Sequence, residues 1–184
     1  MVDTTSVVVA LGSNLGDRVW HLQEALRQIQ SRGLLTEMQC SHAYESPPER
    51  PEDGEPFVNA VAIGECSLSP RTLLENLLHI EHAMGRRRSE SGHGGARIID
   101  LDLILYGDQV IREPGLEVPH PRYAKRSFVL MPLAEIAGER IDPQSGTSIH
   151  SMWTSAKEAT HVAGTLPAHS GTPVALRNLG SLCR

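Results

Sequence analysis

The segment Ile99-Asp100-Leu101-Asp102-Leu103-Ile104-Leu105-Tyr106 sets two acids into an otherwise apolar run at alternate positions. Side chains on a strand point to opposite faces in turn, so Ile99, Leu101, Leu103 and Leu105 are expected on one face and Asp100 and Asp102 on the other. In that geometry the two aspartate Cα atoms stand roughly 6.5 to 7 Å apart, with side chains free to converge on one point. Carboxylates so close repel each other unless a cation neutralises them, and hard oxygen ligands of this kind suit Mg²⁺. An ordinary solvated sheet face also carries alternating polar residues. Against that reading, Arg97 stands three residues before Asp100, after a loop that contains Arg86, Arg87, Arg88, Gly92, Gly94 and Gly95. Guanidinium groups grip phosphate oxygens bidentately while Mg²⁺ bridges them, so this grouping suits a polyphosphate.

The rest of the chain supplies the frame. Val7-Val8-Val9-Ala10-Leu11, β-branched and closed by Gly12, predicts a buried strand. Val19, Leu22, Leu26 and Ile29 recur at helical spacing between a capping Asp17 and a terminating Gly33. Residues 34–44 and 57–65 predict two strands, and the prolines at 47, 48, 51 and 56 make the segment between them a loop. Ser69-Pro70 opens a second helix, with Leu73, Leu77, Ile80 and Met84 as its apolar stripe and Gly85 as its end. Further on, 128–131 predict a strand, 132–137 the opening of a short helix, and Ile149, Met152 and Trp153 a last amphipathic turn or two. Strand, helix, two strands, helix, strand is the split βαβ order of an α+β sandwich, a mixed or antiparallel sheet with helices packed on it. We expect one domain over residues 1–155, followed by a poorly ordered C-terminal extension over 156–184.

Composition removes several classes. A net charge of −5 with 4% aromatic residues does not suit a nucleic-acid binder, whose sheet would need exposed aromatics on a basic surface. Cys40, Cys66 and Cys183 are far apart, odd in number and form no Cys-x-x-Cys pair, which argues against a disulfide framework or zinc ribbon and points to the cytoplasm. The apolar run from Val7 to Leu11 is too short to span a bilayer and follows no basic segment, so no membrane is expected. His79 and His82, three apart on the second helix, have no third ligand and read as exposed; Glu75 and Glu81 read as solvated. Phe57 and Asn59 alternate on one face of their strand, where a ring and an amide can stack on and hydrogen-bond a flat heterocycle, although core packing explains Phe57 equally. Gly12-Ser13-Asn14-Leu15-Gly16-Asp17 joins strand to helix, so its amides suit an anion or a substrate carbonyl, and a plain turn with an N-cap explains the run as well.

Taken in order, Leu11-Gly12-Ser13-Asn14-Leu15-Gly16-Asp17, Tyr44-Glu45-Ser46-Pro47-Pro48, Phe57-Val58-Asn59-Ala60, Ile80-Glu81 with Gly85-Arg86, Arg97 with Asp100 and Asp102, and Val118-Pro119-His120-Pro121-Arg122 resemble a known family. It is the 6-hydroxymethyl-7,8-dihydropterin pyrophosphokinases of folate biosynthesis, and the resemblance runs over about residues 7–153. It implies a ferredoxin-like α+β fold, ATP as donor, AMP as leaving group, and attack of the pterin hydroxyl on the β-phosphorus. It implies that Asp100 and Asp102 bridge two Mg²⁺ ions and that Arg86 and Arg97 stabilise phosphoryl charge. Glu81, Arg88, His120 and Arg126 would join them in binding ATP, while Ser46, Pro47, Phe57, Asn59 and Phe128 would hold the pterin, its ring between aromatics. The partners would be small molecules, the chain a monomer, and the arginine loop over 86–97 a lid on the phosphates. The chain departs from the family pattern in having no aromatic over 89–95, Ala96 where a proline is commoner, and Glu49 where relatives often carry an apolar residue. A nucleotidyltransferase of the Gly-Ser plus Asp-x-Asp type also uses two metals but keeps the Gly-Ser close before the acids, whereas Ser13 precedes Asp100 by 87 residues.

Overall fold

Strand β1 (Thr5–Ser13) is apolar on both faces and runs antiparallel between β5 (Asp100–Tyr106) and β4 (Phe57–Cys66). A strand of this composition belongs in the middle of a sheet covered on both sides. The computed structural model describes residues 3–48, 54–85, 96–162 and 173–174. Beyond β1, the long β4 pairs with β2 (Thr36–Cys40) toward one end and β3 (Ala43–Ser46) toward the other, and the two-residue β8 (Pro173–Val174) pairs with β3. The order is β5-β1-β4-β3-β8 with β2 beside β4, and every pair is antiparallel, which decides between the mixed and antiparallel alternatives. A small hairpin of β6 (Ile111–Glu113) and β7 (Leu116–Val118) stands apart from the sheet.

Helices cover both faces. Leu22, Ala25, Leu26 and Ile29 of α1 (Arg18–Ser31) and Leu73, Leu77 and Ile80 of α2 (Pro70–Ala83) pack on Val7, Val9, Leu11, Ala60 and Leu101. On the opposite face, Val129, Leu130 and Leu133 of α3 (Ser127–Ala137) and Ile149 of α4 (Ile149–Val162) pack on Val8, Val61 and Ile104. Burying each such side chain contributes about 1.5–3 kcal/mol, which outweighs any single local preference. The capping signals operate as the sequence predicts: the Asp17 carboxylate accepts the Trp20 N–H, and Ser69 Oγ accepts that of Thr72. Gly85, at φ +95°, closes α2 in a conformation that L side chains rarely adopt.

Five expectations are corrected. The alternation along β5 breaks, because the register against β1 shifts between Val8 and Val9: Val9 opposes Leu103 and Val8 opposes Leu105. This bulge sends Leu105 to the α3 and α4 face beside Ile104, instead of keeping it with Leu101 and Leu103. The strand expected over 34–44 is two strands, divided at Ser41, whose Oγ accepts the Val61 N–H at 3.0 Å and donates to the His42 carbonyl at 2.7 Å. Residues 128–131 are helical. A short apolar run has no decisive period, and packing on Val8 and Val61 selects the helix even though Pro132 denies the Phe128 carbonyl its donor. The last helix is 14 residues long and passes residue 155 to end at Val162. Cys40 is disulfide-bonded, against the expectation of no disulfide, so the cysteines do not bear on the compartment; Cys66 is a free, buried thiol, and Cys183 lies outside the described residues. No helix among the described residues is long and apolar enough to cross a membrane.

A polar knot ties the 3-10 turn over Tyr123–Lys125 to the chain before α4. Asp142, 3% exposed, accepts the Tyr123 hydroxyl and the Ser145 N–H, each at 2.7 Å. Burial acts to raise its carboxyl, but hydrogen bonds from Ser145, Tyr123 and the Gln144 backbone outweigh burial and hold it below the ordinary carboxylate value. A carboxyl depressed in the fold stabilises it above the unfolded pKa, and that contribution disappears as pH falls through the folded pKa. Asp142→Ala is therefore expected to lower unfolding free energy at pH 7 by about 1–3 kcal/mol. In urea titrations the deficit should shrink below pH 3.8, the ordinary carboxylate value, because the parent then loses the same contribution.

Candidate active site

Directly opposed residues in an antiparallel pair point to the same face. Gly12 of β1 opposes Asp100 on one side and Asn59 on the other, and Asn59 in turn opposes Tyr44. Asp100, Gly12, Asn59 and Tyr44 therefore form one rung across four strands. The next rung holds Asp102, Ala10 and Val61, and on the other side Phe57 opposes Ser46. Ala10 and Val61 lie in the core under α3 and α4, so all three rungs face those helices. Gly12 gives the rung a bare backbone floor between Asp100 and Asn59. A Cβ there would stand 3.1 Å from Asn59 Oδ1 and 3.8 Å from the Phe57 ring.

One end of the rung is an amide and aromatic slot. Asn59, 5% exposed, donates from Nδ2 to Ser46 Oγ at 2.8 Å, which leaves its carboxamide oxygen toward Gly12. Phe57 and Pro47 are half-buried beside it, and Phe128 stands in the first turn of α3. Tyr44 closes this end: its hydroxyl donates to Glu135 Oε2 at 2.9 Å, and burial, then that carboxylate, push it up to about 12. The Tyr44 hydroxyl is a donor throughout the physiological range.

The other end is charged, and each acid has cationic neighbours. Arg97 Nη1 lies 2.5 Å from Asp100 Oδ2. Arg126 Nη1 lies 3.5 Å from Asp102 Oδ2, and the same guanidinium sits 5.4 Å from the centre of the Phe128 ring, linking the charged end to the aromatic one. His120 Nε2 is 3.9 Å from Asp102 Oδ2, while its Nδ1 accepts the Arg122 N–H at 3.2 Å. That acceptor role leaves the proton of a neutral ring on Nε2, facing the acid. Burial first lowers the His120 pKa, Asp102 acts to raise it, and Arg126 and Arg122 lower it further, with a net fall below the ordinary value. At pH 7 the imidazole is neutral.

Glu81 is a correction. Instead of being solvated it is 2% exposed, and its Oε1 accepts the Leu101 N–H at 2.6 Å. The physical reason is that β5 is an edge strand among the described residues, so its outward N–H groups have no neighbouring strand there; α2 supplies a carboxylate in place of one. This bond grips the residue between Asp100 and Asp102. His79 and His82 are exposed as expected, His79 within 3.1 Å of Arg32, and no group of three or more metal-ligating His, Cys, Asp or Glu side chains occurs among the described residues. Arg86, Arg88, Glu49 and residues 89–95, with the expected lid, lie outside the described residues. The sequence reading placed Gly12 only in a strand-to-helix loop and not between Asp100 and Asn59, and it assigned Tyr44 no place in the site; for Tyr44 the only signal was its position inside a shared motif.

A sheet of this topology, with paired aspartates and arginines at one end of a slot and aromatic and amide groups at the other, is of the ferredoxin-like α+β class, and its site suits a polyphosphate beside a flat heterocycle. The profile of the 7,8-dihydro-6-hydroxymethylpterin-pyrophosphokinase (HPPK) family matches residues 8–138, and the chain belongs to that family. It is 41% identical over 142 residues to the 2-amino-4-hydroxy-6-hydroxymethyldihydropteridine pyrophosphokinase of Synechocystis, covering 77% of this chain and 71% of that one. It is also 41% identical to the protein of the same name from Haemophilus influenzae, covering 74% of this chain and 84% of that one. The folic acid synthesis protein fol1 of Pneumocystis carinii is 39% identical over 82% of this chain, which spans only 20% of that longer protein. Among solved structures, Plasmodium falciparum HPPK-DHPS with pteroate superposes with a TM-score of 0.74 at 14% identity, over 92% of this chain and 47% of that one, a likeness of fold.

The Glu81 contact generates a stability prediction. Glu81→Ala leaves the Leu101 N–H buried and without that acceptor, which should cost about 1–3 kcal/mol. Glu81→Gln keeps an acceptor oxygen and should lose less than half as much in the same chemical denaturation series.

Proposed function

We propose that this chain transfers the β,γ-diphosphate of ATP to the hydroxyl of 6-hydroxymethyl-7,8-dihydropterin, releasing AMP, as a step of folate synthesis. The rung Asp100, Gly12, Asn59 carries the reading. Strands lie about 4.8 Å apart, so Asp100 and Asn59 stand roughly 10 Å apart across a floor without a side chain, room for a flat bicyclic ring with its hydroxymethyl arm toward the acids. Family membership and the names borne by the bacterial relatives support it.

Asp100 and Asp102 suit Mg²⁺ as a donor set: two carboxylates on one face, with the remaining ligands left to water and substrate phosphates, as this ion prefers. Bound there, two Mg²⁺ ions would neutralise phosphate charge and lower the pKa of the attacking hydroxyl. The chain's own groups do the rest. Arg97 and Arg126, now paired with the acids, gain phosphate oxygens as bidentate acceptors. Neutral His120 donates a hydrogen bond from Nε2 to a phosphate oxygen. Asn59 and Ser46 hydrogen-bond the heterocycle edge, and Phe57, Pro47 and Phe128 pack on its faces. Arg86 and Arg88 join the phosphate-binding set and Glu81 the ATP site by the resemblance. Among the described residues no strong base stands beside the acceptor, so Asp100 or solvent takes its proton. The same proposal takes the chain as a monomer acting in the cytoplasm.

Incubation with ATP, Mg²⁺ and the reduced pterin should yield AMP and the pterin diphosphate; ADP in place of AMP overturns the reading. Asp100→Ala and Asp102→Ala should each lower kcat by at least about 10²-fold, the scale for losing a preorganised electrostatic contact, while the fold survives. Near-normal rates at saturating Mg²⁺ would remove the metal assignment. Gly12→Ala should raise the KM for pterin by about tenfold, from an overpacking cost of 1–3 kcal/mol, and leave the KM for ATP nearly unchanged.

A further inference from the structure

Asn14 follows the last residue of β1 and is 1% exposed. Its side-chain oxygen accepts the Arg97 N–H at 2.6 Å, and its own backbone N–H donates to the Arg97 carbonyl at 3.1 Å. The same carboxamide donates from Nδ2 to the Glu55 carbonyl at 3.2 Å. One buried amide thus joins two backbones 83 and 41 residues away in sequence. The first leads into β5, whose first residue, Asp100, is bonded to Arg97; the second leads into β4, two residues before Phe57 and four before Asn59. Arg18 reinforces the second contact, donating from Nη1 to the Pro56 carbonyl at 2.7 Å while its Nη2 pairs with Glu45 at 3.0 Å.

From this geometry we infer that Asn14 is a positioning residue, which fixes the polyphosphate half of the site relative to the heterocycle half. The inference rests on the function proposed above. Asparagine is required because one group must accept from Arg97 and donate to Glu55 at once. Aspartate keeps the first bond and sets a carboxylate oxygen against the Glu55 carbonyl; alanine loses both bonds. Since in-line transfer depends on geometry, a displacement of about 1 Å between the halves is worth roughly 10²-fold in rate.

The test compares the parent with Asn14→Asp and Asn14→Ala, measuring steady-state constants for both substrates, thermal midpoints, and deuterium exchange at the Arg97 amide without ligands. Asn14→Asp should raise the KM for pterin about tenfold, the effect of one lost hydrogen bond near 1.4 kcal/mol, with the KM for ATP and Arg97 exchange close to the parent. Asn14→Ala should speed Arg97 exchange and lower kcat by about 10²-fold with little change in the KM for ATP. A merely structural residue would lower the thermal midpoint and leave both KM values and the rate per folded molecule unchanged, and that result overturns the inference. So does an equal loss in the two variants, or none in either. If Asn14→Ala does not fold, an unchanged pterin KM in Asn14→Asp is enough to reject it. If the parent itself releases no AMP, the functional reading fails, and Arg97 exchange still decides whether Asn14 holds that backbone.

Discussion

The antiparallel register of β1 between β5 and β4 is the constraint on which the site depends. Side chains on a sheet alternate with a period of two, so a slip of one residue in either pairing would send Asp100 or Asn59 to the face under α1 and α2. The register is fixed by burial rather than by the polar groups. Val7, Val9 and Leu11 fit the core under α1 and α2, while Val8 and Ala10 fit the core under α3 and α4. Every one of these residues is buried, the most exposed being Ala10 at 8%. Moving them by one position would exchange the two sets against helices shaped to receive the other.

With the register fixed, Gly12 acquires a meaning it lacks as an isolated residue. It lies between an acid that faces cations and an amide that faces an aromatic wall, and its missing side chain keeps the two apart without filling the space. The site is also balanced electrostatically before any substrate arrives. Arg97 answers Asp100, and Arg126 answers Asp102. Two carboxylates on one face would otherwise repel, so the cations that suit a polyphosphate also make the ligand-free site tolerable. Glu81 and Asn14 act on backbone rather than on substrate, the first gripping Leu101 and the second Arg97 and Glu55.

Local signals reported local structure faithfully. Asp17 and Ser69 cap the helices they precede, and Leu73, Leu77 and Ile80 line the buried stripe their spacing describes. Where a segment's state depended on what it touched, the sequence was ambiguous. The run through Phe128 and Leu130 could serve a strand or a helix, and contact with Val8 and Val61 chose the helix. Glu81 reads as one more charged residue on an amphipathic helix, because nothing nearby in sequence shows that an edge strand lacks a partner beside it.

By itself, then, the sequence determined the α+β order, the capped helices, the shared face of Asp100 and Asp102, and, through motifs in series, the family. All of these follow from a period or a chemical signature spanning a few residues. The tertiary structure alone decided that Leu105 leaves the face of Leu101 and Leu103, that Gly12 lies between Asp100 and Asn59, and that Asn14 joins Arg97 to Glu55. Each of these is a relation between segments 41 or more residues apart, or a bulge produced by pairing two such segments, and such contacts leave no mark on the local pattern of either partner.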